Sequence, residues 1–223
     1  MHMGEVTICY GMTETSPVST QTRADDDIDR RTATIGRAHP HVEIKVIDPE
    51  TGTTVPRGEP GEFCTRGYSV MTGYWEDQDK TAEAIDTDGW MHTGDLAVMR
   101  DDGYCTIVGR IKDLVIIRGR NLYPQDVELT VEQAAPALRP GCTIALGVEH
   151  QGEERLEVSA EIAPDKLAAL DLSSVLERIE QEVARVHDVR PASITLVGPG
   201  SVPKTSSGKV QRRAAAQLLR SGE

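Results

Sequence analysis

Three short stretches place side chains with useful chemistry close together. The first, Tyr10-Gly11-Met12-Thr13-Glu14, offers a flat aromatic, a permissive glycine, a hydroxyl and a carboxylate within five residues. Such a group could stack a base, let a phosphate approach the backbone and hold Mg²⁺. A strand running into a threonine-rich turn has much the same letters, so the stretch alone is a weak signal. The second is Trp90-Met91-His92-Thr93-Gly94-Asp95. A carboxylate beside a sharp turn has two acceptor oxygens with which to hold a ribose 2′,3′-diol, although an aspartate capping its own turn reads the same way. The third is Gly200-Ser201-Val202-Pro203-Lys204-Thr205-Ser206-Ser207-Gly208-Lys209-Val210. It is not a P-loop, since seven residues separate its glycines and Val210 follows the lysine. It reads as a mobile, hydroxyl-rich loop that presents one lysine to a site formed elsewhere.

The remaining candidates exclude more than they add. His92 reads as a structural neighbour of Trp90, and the six histidines show no metal-binding spacing. Cys9, Cys64, Cys105 and Cys142 form no CxxC pair and fit reduced cytosolic thiols, so the expected location is cytoplasmic. No apolar run approaches the roughly 20 residues of a membrane span, and the first residues lack the pattern of a secretory signal. The chain instead opens in what reads as a strand over residues 6–10, as a piece of something longer would. The net charge of -12 lies mainly in residues 1–111, which carry 10 Lys+Arg against 20 Asp+Glu. Nucleic acid is a poor partner for so acidic a chain, because a groove binder needs a broad positive surface. The last 24 residues reverse the sign with Lys204, Lys209, Arg212, Arg213 and Arg220 against Glu223, enough to meet a compact anion such as a nucleotide phosphate.

Several elements must position these groups. Residues 23–31 (RADDDIDRR) read as a solvated loop and residues 33–70 as a small antiparallel sheet or barrel. Residues 79–85 read as a short helix, and Asp101-Asp102-Gly103 as the turn of a hairpin. Residues 108–128 read as the end of one domain, a charged hinge, and the strand, turn and helix (125–133) that open another. Two strands, 142–148 and 156–162, precede a long amphipathic helix over 167–187 with apolar positions at Leu167, Leu170, Leu172, Val175, Leu176, Ile179, Val183 and Val186, its main segment capped by Ser173 or Ser174. A last strand over 194–197 leads to the lysine loop and an Ala-rich helix.

Read in order, YGMTETSP, GWMHTGDL, VGRIKDLVIIRGRNLYPQDVE and VPKTSSGKVQRR closely resemble the adenylate-forming superfamily of acyl-CoA synthetases, fatty acyl-AMP ligases, luciferases and peptide-synthetase adenylation domains. The resemblance covers essentially the whole chain. It implies an α/β fragment in which residues 1–109 end the large AMP-binding domain in a small β-barrel. Residues 110–113 would be a hinge, and residues 114–223 a mobile C-terminal α+β lid. The implied reaction joins a carboxylate, expected to be a fatty acid, to ATP with loss of pyrophosphate. A thiol, expected to be coenzyme A and in the alternative the phosphopantetheine of an acyl carrier protein, then takes the acyl group; the rival reading is a truncated, non-catalytic nucleotide-binding fragment or a lid that acts in trans. By resemblance Tyr10 stacks on adenine, Gly11 and Thr13 lie at the phosphate, and Glu14 holds Mg²⁺. Asp95 and Arg110 bind the ribose, Lys112 is the pivot, Gly119 faces the thiol, and Lys209 bridges carboxylate and phosphate during adenylation. The family's large domain begins several hundred residues before Tyr10, so half an ATP site is expected here. YGMTETSP and the 85 positions between Tyr10 and Asp95 resemble acyl-CoA ligases, whereas GRNLYPQDVE and SVPKTSSGKVQRR look more like fatty acyl-AMP ligases.

Overall fold

In the computed structural model, which describes residues 5–167, 171–206 and 208–221, the start of the chain forms very short strands. β1 (Cys9–Tyr10), β2 (Thr20–Gln21) and β3 (Arg37–Ala38) pair antiparallel in that order. Val6 and Ile8, expected in the first strand, are exposed outside it. The charge run is also not all loop. Asp27 caps a helix, α1 (Ile28–Ala33), by accepting from the backbone N–H of Arg30 at 2.8 Å.

β4 (Val42–Ile47), β5 (Pro60–Gly67), α2 (Gln78–Ala84), β6 (Met91–Met99) and β7 (Cys105–Arg110) complete the first unit. The strands form an antiparallel meander, β4-β5-β6-β7, around Val46, Phe63, Ala97, Met99 and Cys105. The expected barrel is not closed: among the described residues this is an open four-stranded sheet. Four strands give too little circumference to wrap a filled interior. Each outer strand instead makes one isolated bridge, β4 from Ile47 to Thr54 and β7 from Cys105 to Gly36.

The chain packs as two units, Met1–Lys112 and Asp113–Glu223, divided inside a single 3₁₀ turn, Ile111–Asp113. The second unit opens with a hairpin where strand-turn-helix was expected. β8 (Val115–Ile117) turns through Arg118 (φ 52°) and Gly119 (φ 75°) into β9 (Arg120–Leu122). Two successive left-handed residues match the right-handed twist of the paired strands, which makes this a tight two-residue turn. Pro124 then starts α3 (Pro124–Ala134), where its missing N–H costs nothing.

β10 (Leu138–His150) and β11 (Glu153–Ile162) close through another two-residue left-handed turn, Gln151-Gly152. β12 (Ser193–Val197) pairs parallel to β11, so a crossover must join them. α4 (Leu172–His187) is that crossover. Its cap is Asp171, which accepts from Ser174 N–H, rather than Ser173 or Ser174. Val175, Ile179 and Val183 are its buried face, whereas Leu172 and Val186 are exposed. Leu170, expected on that face, lies outside the described residues.

Alternate residues of β10 serve opposite faces of the sheet. Ala145 joins Leu156, Val158, Ala160, Val127, Val131 and Ile179 on the α3–α4 side. Ile144 joins Val202 and Ala215 on the other, beneath α5 (Arg212–Ser221). Ser207 and Glu223, and the side chains of Arg213 and Arg220, lie outside the described residues. No helix among the described residues is long and apolar enough to cross a membrane.

Candidate functional site

The first unit gathers three of the expected residues on one carboxylate. Glu62 pairs with Leu96 and Cys64 with His92, so Thr93, Gly94 and Asp95 of β6 stand opposite Phe63 alone. A bulge of this kind re-aims a side chain out of the strand's alternation. Gly94 turns it at φ 69°, in the left-handed region. Its backbone N–H donates to Glu62 Oε1 at 3.0 Å, the Thr93 hydroxyl donates to the Phe63 carbonyl at 2.7 Å, and Asp95 N–H donates to Thr93 Oγ1 at 3.2 Å. Asp95 emerges fixed and buried. The Tyr10 hydroxyl donates to its Oδ2 at 2.6 Å, and Arg110 Nε lies 2.7 Å from its Oδ1. Burial, together with the bond to Asp95, pushes the Tyr10 phenol well above its ordinary range, so it stays neutral.

The Tyr10 ring is half-buried and meets Phe63 edge to face, with centroids 5.2 Å apart. Gly11 is required by a close approach, since a Cβ there would sit 1.8 Å from the Pro17 carbonyl oxygen. The chain then makes a 3₁₀ turn, Thr13–Thr15, tied by a two-way bond between Thr15 Oγ1 and the Met12 backbone. That leaves Thr13 exposed and Glu14 partly so. Glu14 Oε1 accepts from the Tyr74 hydroxyl at 2.9 Å, and its carbonyl accepts from Met71 N–H at 2.8 Å. A partly exposed carboxylate suits Mg²⁺, which takes one or two protein carboxylates alongside substrate phosphate. Sequence reading missed Tyr74 and Glu62, each about 30 or more positions from the group it holds. Lys45 and Arg66 lie over the Trp90 ring at 4.4 and 4.5 Å, and His92 meets Glu62, Cys64 and Asp86.

In the second unit the described residues of the lysine loop bond to one another. Lys204 and Val210 form an antiparallel bridge, Thr205 N–H donates to the Lys209 carbonyl at 2.8 Å, and Lys209 N–H donates to Thr205 Oγ1 at 3.0 Å. Lys209 is exposed at this pinned tip. Gly119 lies exposed on the β8–β9 turn with open space before it, and Lys112 is exposed in the 3₁₀ turn between the units.

Two carboxylates root the loop. Glu161, inside β11 and 1% exposed, accepts from Val202 N–H at 2.7 Å and from Arg139 Nη1 at 2.9 Å. Burial opposes its charge, but the N–H groups of Val202 and Gly200 and the Arg139 guanidinium outweigh it, leaving the pKa below the ordinary carboxylate value. The resulting stability is complete above that ordinary value and is lost as pH falls through the lower, folded one. Glu161→Gln should cost about 1–3 kcal/mol near neutrality and flatten this part of the acid-unfolding profile. An acid titration of ellipticity that superimposes on the parent's would refute the assignment. Glu128, in α3, takes both Arg212 Nε (2.9 Å) and Nη2 (2.6 Å) and also accepts from Ala145 N–H, while Asp113 lies 3.5 Å from Arg212 Nη1.

Residues 1–75 match the family described as AMP-binding enzyme. The chain is 43% identical over 217 residues to YngI of Bacillus subtilis, covering 95% of this chain and 37% of that one. It is 34% identical over 217 residues to the mitochondrial medium-chain acyl-CoA ligase ACSF2 of Bos taurus, covering 95% and 33% respectively. The crystal structure of ATP-bound MatB from Rhodopseudomonas palustris superposes with a TM-score of 0.82 at 33% identity, over 96% of this chain and 41% of that one. The chain thus spans about a third to two-fifths of the length of these relatives.

Proposed function

The chain belongs to the adenylate-forming, AMP-binding enzyme family, and on that premise we propose that it supplies the ribose-binding face and the lysine-bearing lid of an ATP-dependent acyl-CoA ligase. The Asp95 carboxylate carries this reading. It is buried, held by Tyr10 and Arg110, and aimed by a two-residue bulge. Two such oxygens suit a vicinal diol. Tyr10 is then the adenine platform, with Gly11 and Thr13 at the phosphates. Glu14 would hold Mg²⁺, which when bound neutralises phosphate charge. Arg110 completes the ribose contact.

In the first half-reaction a substrate carboxylate oxygen attacks the α-phosphorus of ATP and pyrophosphate leaves. Negative charge gathers on oxygens around phosphorus, where the Lys209 ammonium would meet it. In the second, a thiol attacks the acyl carbon and AMP leaves. Lys112 is the pivot that exchanges the lid faces between the two steps, and Gly119 is the residue beside the incoming thiol. The exposed turn at Gly119 supports that role, because no protein atom lies within 4 Å of where a Cβ would stand, which leaves room for an incoming group. A medium-chain fatty acid is the substrate class favoured by the likeness to ACSF2, and coenzyme A the favoured acceptor. The stretches GRNLYPQDVE and SVPKTSSGKVQRR favour a second reading, transfer to a holo acyl carrier protein.

Joining this chain to the N-terminal part of a family large domain should give pyrophosphate release dependent on ATP and fatty acid, and acyl-CoA on adding coenzyme A. Product with holo carrier protein alone would select the second reading, and silence with every acid would sink both. In the same enzyme Asp95→Asn, which keeps an acceptor for Tyr10, should weaken AMP binding about 30-fold, the worth of ~2 kcal/mol of charge-assisted hydrogen bonds. Calorimetric affinities equal to the parent's would remove Asp95 from the ribose.

A further inference from the structure

We propose that Glu62, Cys64 and His92 form a binding site for a thiophilic divalent cation of the Zn²⁺ class, set directly behind the turn that aims Asp95. Glu62 and Cys64 are two residues apart on β5, and His92 is the cross-strand partner of Cys64 on β6, so all three share one face of the ladder. His92 Nδ1 lies 2.9 Å from Glu62 Oε2 and 3.7 Å from Cys64 Sγ, and the three donor atoms all fall within 4.8 Å of one another. A tetrahedral ion with bonds of about 2.3 Å to sulfur and about 2.0–2.1 Å to nitrogen or oxygen holds its ligands roughly 3.3–3.6 Å apart. The sulfur–nitrogen pair, at 3.7 Å, is close to that separation; the nitrogen–oxygen pair must open by a few tenths of an ångström, and the sulfur and oxygen lie within 4.8 Å.

The surroundings suit a metal as well as the hydrogen bond that joins His92 to Glu62. Asp86 Oδ2 lies 3.6 Å from His92 Nε2 on the far side of the ring. Without a metal the Nδ1 proton faces Glu62; when a cation takes the Nδ1 lone pair, the ring proton passes to Nε2, where Asp86 stands to receive it, the outer-shell arrangement typical of metal-bound histidines. Glu62 can bind through Oε2 while Oε1 keeps the Gly94 N–H. Cys64 is fully buried and Glu62 nearly so, whereas the His92 side chain is 29% exposed and leaves a way in. One thiol, one imidazole and one carboxylate select a borderline-soft cation; Mg²⁺ and Ca²⁺ would want oxygens only. The Cys64 thiol gives up its proton to solvent as the ion binds, and a water fills the fourth position. Sequence spacing hid the group because its ligands come from two strands 28 positions apart.

Cobalt is the probe. Titrating Co²⁺ into the metal-free 223-residue chain should produce a thiolate-to-metal charge-transfer band at one equivalent, removed by Zn²⁺. Cys9→Ser should leave it unchanged, since that thiol is exposed and apart. Cys64→Ala should abolish it, and His92→Gln should weaken Co²⁺ binding at least tenfold with the fold intact by circular dichroism. If Cys64→Ala does not fold, His92→Gln decides alone, because its side chain is partly exposed. A missing band, a band that survives loss of Cys64, or unchanged affinity in His92→Gln overturns the site. The test reads metal binding only, so it stands or falls independently of the ligase reading.

Discussion

Lys209→Ala, in an enzyme completed with the large domain, should lower the rate of acyl-adenylate formation by about 10²–10³-fold, equivalent to ~2.7–4 kcal/mol. The same variant should convert preformed acyl-adenylate and coenzyme A to product at close to the parent rate. The asymmetry follows from where charge develops. In adenylation, three oxygens around phosphorus gather charge while the carboxylate loses it, and a placed ammonium stabilises that state more than the ground state. In thiol transfer the charge develops on the acyl oxygen and the departing AMP. Pyrophosphate exchange measures the first step and single-turnover acyl transfer the second. Equal losses in both would mean that Lys209 supports the lid rather than the phosphoryl step. Lys209→Arg should rescue little, because a planar fork does not replace a compact charge at the tip of a tight loop.

Arg212→Ala should destabilise the second unit by about 3–5 kcal/mol, the cost of leaving a buried ion pair half-made. The Arg212 and Glu128 side chains are only 17% and 13% exposed, so solvent screens them little. The pair is bidentate, and Arg212 also reaches Asp113 at the unit's first residue. Losing it uncouples α5, α3 and the turn between the units together. Burial already pushes the Glu128 carboxyl up from its ordinary value against the pull of Arg212. With the arginine gone, that carboxyl should take up a proton and recover part of the loss at low pH. Urea unfolding should therefore show a large deficit near neutrality that narrows as pH falls. A deficit under 1 kcal/mol would mean that the pair is effectively solvated. Adding Glu128→Gln to Arg212→Ala should cost less than the sum of the single changes, as expected for residues in contact.

How much of this was legible depended on how local each cause was. Asp101-Asp102-Gly103 announced its hairpin, and Val175, Ile179 and Val183 announced α4, because turn chemistry and helical period are written in neighbouring residues. Arg118-Gly119 hid a hairpin: arginine is a poor advertisement for a left-handed turn, and Arg120-Asn121 does not look like a strand. The residues of the Asp95 turn were visible, but not the clamp on it. Glu62 and the Phe63 carbonyl come from the neighbouring strand, and nothing in a run of letters shows that two extra residues will bulge. Glu161 carried a usable sign, a charged residue amid Val158, Ala160 and Ile162, which is tolerable only if something buried needs its oxygens. The barrel failed for a global reason, since closure depends on strand number and stagger rather than on any one strand's pattern.

The hydrogen-bonded pin from Lys204 to Val210 has a thermodynamic corollary. Freezing a floppy segment at the moment of reaction costs roughly 1–2 kcal/mol for each backbone residue fixed. An arm already stiffened before substrate arrives is largely spared that cost, so an Eyring plot of adenylation should show only a small entropic barrier. Glycine in place of Thr205, which removes the hydroxyl bonded to Lys209 N–H, should make that entropy more negative while leaving the chemistry's enthalpy in place.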